Sequence, residues 1–104
     1  GRPNLKPTAY SYTVLITAWS RVAWADEAPQ RVSDLLEEMM QDKDIQMSGR
    51  PFTAALLVYS RSKIEGKAVQ ALNTLKQMKE IASQGQPLVL PNIQTYHAAL
   101  DCCA

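Results

Sequence analysis

The sequence is poor in the residues that do chemistry. It has one histidine, two cysteines and four glycines in 104 residues. His97 stands alone and Cys102 and Cys103 are neighbours, so no metal-ligand spacing and no thiol–imidazole pair is written into the chain. Adjacent cysteines rarely bridge to each other, because the bond needs Cα atoms ~5.5 Å apart. They read as reduced thiols of an intracellular protein. Scattered glycines make no phosphate-cradling loop. The carboxylates Asp26, Glu27, Glu37 and Glu38 have no His or Cys beside them to work with. No enzyme activity, metal, cofactor or small-molecule substrate is expected.

Other absences narrow the class. No apolar run approaches the ~18 residues a membrane-crossing helix needs, so no membrane partner is expected. No secretory or transit segment opens the chain, and because it begins with Gly such a segment can lie outside it. Neither sign of charge is in excess. Eleven Lys and Arg against ten Asp and Glu leave +1, a balance that does not by itself point to nucleic acid. At 46% hydrophobic and 20% charged, the composition is that of a folded globular chain, long enough for one domain or a short repeat array.

What the chain does contain is internal repetition. "YTVLITAWSR" (12–21) aligns without a gap on "FTAALLVYSR" (52–61), and "YHAALDCCA" (96–104) is a third, shorter copy; the offsets are 40 and 44 residues. The first copy by itself is ambiguous. Tyr, Thr, Val and Ile favour strands, and Tyr10, Tyr12, Val14, Ile16 and Ala18 alternate. Yet Tyr12, Leu15, Ile16 and Trp19 also fall at i, i+3, i+4 and i+7. Phe52, Ala55, Leu56 and Tyr59 keep the helical spacing, as do Tyr96, Ala99, Leu100 and Cys103. Alternation weakens in these copies, whose Ala-Ala pairs suit helices and not strands. All three are therefore predicted to be helices, termed helix A, with those four positions as the seam between neighbours.

A second amphipathic segment follows each complete copy. "PQRVSDLLEEMMQD" sets Val32, Leu35, Leu36, Met39 and Met40 on one face, with Pro29 in the first turn and Glu37 and Glu38 opposite. "GKAVQALNTLKQMKEIASQG" sets Ala68, Ala71, Leu72, Leu75, Met78 and Ala82 on one stripe, with Lys76 and Lys79 outside it and Gly85 and Pro87 stopping it. These are helices B. The linkers "KPT" (6–8), "SGRP" (48–51) and "QPLVLPN" (86–92) carry turn residues, and Asn92 can cap the third helix A. Trp24, in the loop "VAWADEA", has no assigned place. The plan is an all-α chain: a hairpin over 7–48, a second over 49–92, and the first helix of a third over 93–104. Hairpins with two apolar faces stack into solenoids. The chain stops inside its third helix A, so it reads as an excerpt of a longer protein whose last helix has an exposed apolar face.

"KPTAYSYTVLITAWSR" followed by "LLEEM", "NTLKQMK", and "LPNIQTYHAAL" resemble the pentatricopeptide repeat, from about Pro7 to Ala104. The shared features are a Pro and polar residue, an aromatic, an apolar pair in helix A, and a Leu-x-x-Met end to helix B. The Trp-Leu-Gly signature of tetratricopeptide hairpins is not found. The resemblance implies a right-handed α–α superhelix that binds single-stranded RNA, about one base per repeat. It further implies an organelle protein, of mitochondrion or plastid, acting in RNA processing, stability or translation.

In that family, one base reader follows the helix A aromatic and the other ends the repeat. Carried over, the readers are Thr13 with Ser48, Thr53 with Asn92, and His97 with a partner beyond the chain. Thr with Asn is similar to a pair used for a purine, most often adenine; Thr with Ser, and His, are atypical. The base-stacking place, two residues before the aromatic, holds Tyr10, Arg50 and Gln94 where the family has small aliphatics. Arg21 and Arg61 occupy a place where the family often carries a phosphate contact. Each has a plainer reading: solvent-facing threonines, a surface His, and arginines stabilised at helix C-termini by the dipole. Near-neutral charge and the atypical readers also fit a protein–protein scaffold, such as a subunit of an organellar ribosome. A third reading makes the chain the targeting arm of an enzyme whose catalytic domain lies elsewhere.

Overall fold

The structure, a computed structural model, describes residues 8–42 and 45–103. Lys6 and Pro7 of the first linker, and Ala104 at the end of the third copy, lie outside the described residues. The elements are α1 (Ala9–Ser20), α2 (Ala28–Gln41), α3 (Arg50–Arg61), α4 (Lys67–Ser83) and α5 (Ile93–Cys103), with a 3₁₀ turn over Pro87–Val89 before α5. Among the described residues there is no strand, and "AYSYTVLITAWS" is helical throughout.

Local signals set the helix ends. Thr8 is extended and its Oγ1 accepts the Ser11 N–H at 3.2 Å, opening α1. Pro29 and Pro51 sit in the first turns of α2 and α3, where a missing N–H costs nothing. Gly85 follows α4 with φ of 109°, a conformation other residues rarely adopt, and turns the chain out of the helix. The Lys67 ammonium donates to the Ser60 carbonyl at 3.0 Å, satisfying an end group of α3 from the start of α4.

Helices α1, α3 and α5 lie side by side, with α3 packed against both others. Helix α2 packs on α1 and α3, and α4 on α3 and α5, so each helix B touches the helix A of its own hairpin and of the next. The smallest dimension is 19 Å, about two helix diameters, as two layers require. Phe52, Ala55, Leu56, Val58 and Tyr59 of α3 form the centre of the core, joined by Tyr12 and Ile16, by Val32, Leu36 and Met39, and by Ala71 and Met78. A polar tie crosses it: Tyr59 shares a 2.8 Å hydrogen bond with Ser33 Oγ of α2, to which Gln70 Nε2 of α4 also donates.

The three copies of helix A do not bury the same face, which corrects the expected seam. Tyr12 and Ile16 are buried, but Leu15 is 49% exposed; Ala99 is buried, but Tyr96 and Leu100 are 41% and 65% exposed, and Cys103 is exposed. In α5 the buried residues are Thr95, Ala98, Ala99 and Cys102. The reason is position in the row. Helix α3 has an A helix on each side and buries both flanks, adding Pro51, Ala54 and Val58 to the expected four. Each outer helix buries the flank turned to α3 and leaves the other in water.

Two further expectations change. Leu72 is 62% exposed, and Thr74 takes its place in the buried stripe of α4, its hydroxyl donating to the Gln70 carbonyl at 2.9 Å. A satisfied hydroxyl can be buried at little cost. The linkers also contribute core: Ile45, Met47 and Val89 are buried, and the Gly49 N–H donates to the Leu88 carbonyl at 3.0 Å, tying the entrance of α3 to the 3₁₀ turn. Trp24 is 66% exposed and edges a small hollow shared with Pro29, Lys63 and Ile64 at the hairpin ends.

Leu56 and Leu100 are matched positions with opposite surroundings, which makes a direct test. Leu56→Ala is expected to cost about 2–5 kcal/mol in urea unfolding, and Leu100→Ala less than about 0.5 kcal/mol. Equal losses would contradict the rotated face of α5.

Candidate functional site

A cleft of about 640 Å³ crosses the N-terminal half of α3. Thr13 and Thr17 line it from α1, Ser48, Arg50 and Thr53 from α3 and the chain entering it, and Asn92 and Gln94 from the start of α5. Ala54, Leu57 and Leu88 supply apolar wall. Three segments more than 30 residues apart in sequence thus place six of the sequence-derived candidates around one concavity: Thr13, Ser48, Arg50, Thr53, Asn92 and Gln94. Four others stand outside it. Tyr10 is 74% exposed on the first turn of α1, and His97, Arg21 and Arg61 are exposed. Arg21 and Arg61 are each eight residues beyond their matched threonine, about 12 Å along the helix, so they lie towards the C-terminal ends of α1 and α3 and do not line the cleft.

Hydrogen bonding decides what the cleft offers a ligand. The Thr13 hydroxyl donates to the Ala9 carbonyl at 2.8 Å, so only its oxygen lone pairs face outward. Thr53 Oγ1 lies 3.1 Å from the Gly49 carbonyl oxygen and 2.9 Å from Thr95 Oγ1. Thr95 gives its own proton to Asn92 Oδ1 at 3.0 Å. The Thr53 proton therefore stays within the protein, and Thr53 too presents an acceptor. Asn92 caps α5: its Oδ1 accepts the Thr95 N–H at 2.9 Å, while Thr95 Oγ1 accepts the Asn92 N–H at 3.2 Å. With Oδ1 engaged twice, the Asn92 amide nitrogen remains as a donor at the cleft edge. Acceptor and donor are tied into one unit by Thr95, which is 1% exposed. Arg50 adds the single charge among the lining side chains, a cation.

Compared with known proteins, the chain matches no family model, no curated protein and no solved structure.

Sequence reasoning missed Thr95 and Thr17. Thr17 sits one helical turn after Thr13 and was legible from spacing. Thr95 sits three residues after a capping Asn, the offset of a reciprocal cap. Elsewhere, no group of three or more His, Cys, Asp or Glu among the described residues could hold a metal ion. Two smaller hollows share Ser33, Tyr59 and Gln70; Glu37 lines one, and Asp26 and Glu65 line the other. Both cysteines are free thiols. Burial, and then the adjacent Cys103 thiol, push the Cys102 thiol up to about 11, and its Sγ lies 3.4 Å from the Leu56 carbonyl oxygen as donor.

Two measurements test this arrangement. Thr95→Val removes half of the reciprocal cap and is expected to cost about 1–2 kcal/mol by chemical denaturation, whereas Thr53→Val leaves that cap intact and costs less. The second concerns pH. Above an ordinary value of 9.0 the unfolded Cys102 thiol loses its proton, while the folded one keeps it up to about 11. The folded state then binds more protons, so stability falls as pH rises through that window. Tyr59, also raised by burial, adds to the fall above pH 10.0. Thermal melts from pH 8 to 11 should show the decline, and Cys102→Ala should flatten its lower part.

Proposed function

We propose that the chain is a pentatricopeptide-type module whose hairpins stack in a right-handed superhelix and bind single-stranded RNA across the cleft, in an organelle of the mitochondrial or plastid kind. The observation that carries this reading is the convergence of Thr13, Ser48, Arg50, Thr53, Asn92 and Gln94 on one concavity. An array of A helices at regular spacing suits a polymer whose bases repeat. The Thr53 acceptor beside the Asn92 amide donor complements a base edge that offers one N–H and one lone pair, as adenine does with its amino group and ring nitrogen. That agrees with the purine expected from the Thr-with-Asn resemblance. Arg50 can stack on a base, and Arg21 and Arg61, at the matched C-terminal ends of α1 and α3, can meet phosphates. The module performs no catalysis in this reading, and its role is to hold a transcript for processing, protection or translation.

The protein-scaffold reading has its own support. Tyr10, Val14, Leu15 and Leu100 are exposed, and the net charge is only +1, weaker than most nucleic-acid binders carry.

Fluorescence anisotropy with short A-rich and U-rich oligonucleotides across a salt series separates the two. RNA binding should favour the A-rich strand, and Thr53→Val with Asn92→Ala should erase a preference worth about 1–3 kcal/mol. Arg21→Gln with Arg61→Gln should lower the slope of log affinity against log salt by about 1.4, at ~0.7 per phosphate. Absence of binding at low salt would leave the scaffold as the better reading.

A further inference from the structure

Asn92 and Thr95 are joined more tightly than a helix cap requires. The Asn92 side-chain oxygen accepts the Thr95 N–H at 2.9 Å and the Thr95 hydroxyl at 3.0 Å, and Thr95 Oγ1 accepts the Asn92 N–H at 3.2 Å. A backbone N–H can bond only the oxygen of a side-chain amide, so the amide nitrogen is the end left for the cleft. Thr95 Oγ1 also lies 2.9 Å from Thr53 Oγ1 on α3. A hydroxyl has one proton and two acceptor sites. Asn92 Oδ1 takes the Thr95 proton, and the Asn92 N–H and the Thr53 hydroxyl fill its acceptor sites. Thr95 is 1% exposed, so a ligand in the cleft meets Thr53 and Asn92 and not the residue that bonds both.

The other threonine pair of the cleft is built differently. At the 44-residue offset of the repeat, Ser48 stands where Asn92 does and Pro51 where Thr95 does. Pro51 is buried in the first turn of α3. Proline has no hydroxyl and no N–H, so nothing at that place can hold Ser48 as Thr95 holds Asn92. A serine hydroxyl turns about its C–O bond and offers a donor or an acceptor to whatever it meets.

We infer, on the RNA reading above, that base selection by this chain is confined to the Thr53–Asn92 pair, and that Thr95 is the buried positioning residue that sets it. Thr95 holds the Asn92 amide with its nitrogen outward and keeps the Thr53 proton inside the protein. That pair therefore presents one donor and one acceptor in a fixed order. Adenine carries its donor outside the ring and its acceptor within it, and uracil has the reverse. The Thr13–Ser48 pair has no fixed order and accepts either base.

Fluorescence anisotropy with the A-rich and U-rich strands tests this, with circular dichroism to confirm that each variant is folded. Thr95→Val keeps the side-chain shape and removes the hydroxyl. It should narrow the preference for the A-rich strand about 2- to 10-fold, which is what one hydrogen bond contributes, and leave the salt slope unchanged. Thr95→Ser keeps the hydroxyl and should restore the preference. Ser48→Ala should leave it as it is. A further readout needs no RNA: NMR relaxation of the Asn92 side-chain amide should report a rigid group in the native chain and in Thr95→Ser, and a mobile one in Thr95→Val. A Thr95→Val chain that keeps the full preference overturns the inference, whether or not its overall affinity falls. So does a Ser48→Ala chain that loses as much preference as Thr95→Val, and so does an amide equally mobile in all three chains. Should Thr95→Val unfold, Asn92→Ala against Ser48→Ala decides, since only the first should narrow the preference. Failure of the RNA reading looks different: the native chain then binds neither strand. That result removes the base-selection claim as well, and amide relaxation alone decides whether Thr95 fixes Asn92.

Discussion

The packing of α3 between α1 and α5 holds the molecule together. Helix α3 is buried on nearly every side because it meets an A helix on each flank and a B helix from each hairpin. Its composition suits that place: Phe52, Leu56 and Tyr59 fill one side, and Pro51, Ala54, Ala55 and Val58 let its neighbour approach on the other. Large residues against small ones set the axis separation and fix which side each neighbour occupies. Remove that asymmetry and the hairpins could slide or invert.

The cleft depends on the same packing. Thr13, Thr53 and Asn92 come from α1, α3 and the cap of α5, and only the side-by-side row brings them to one concavity. The hydrogen bonds that build the fold also set the polarity of the cleft. Helix-backbone carbonyls take the protons of Thr13 and Thr53, and the α5 cap takes the Asn92 carbonyl oxygen. At these three positions the cleft is left with acceptors on α1 and α3 and a donor at the cap of α5. The groups that these residues present to the cleft therefore follow from the bonds that build the fold.

How much was legible beforehand varies by element. The three A helices followed from comparing the sequence with itself, which settled α1 against its own strand-favouring residues, and the two B helices followed from apolar spacing. The stop at Gly85, Pro29 in a first turn and the Asn92 cap were likewise readable, since each acts within a few residues, whereas Pro51, read as linker, lies in the first turn of α3. Buried linker residues were not. Ile45, Met47 and Val89 lie in segments without helical period, so nothing local marks them as core. Among the candidate site residues, the family resemblance pointed to Thr13, Thr53, Ser48, Asn92, Arg50 and Gln94, which meet at the cleft. It gave equal weight to Tyr10 and His97, which do not line it.

The sequence by itself determined that the chain is helical, where its helices begin and end, and which positions repeat. Those properties rest on hydrogen bonds and apolar spacing within one or two turns, and the residues that set them are neighbours along the chain. Only the tertiary structure decided which side of each helix is buried. An apolar stripe records that a face can be covered, not that a partner is there. Leu56 and Leu100 occupy the same place in the repeat, and their fates differ because one has helices packed around it and the other faces water.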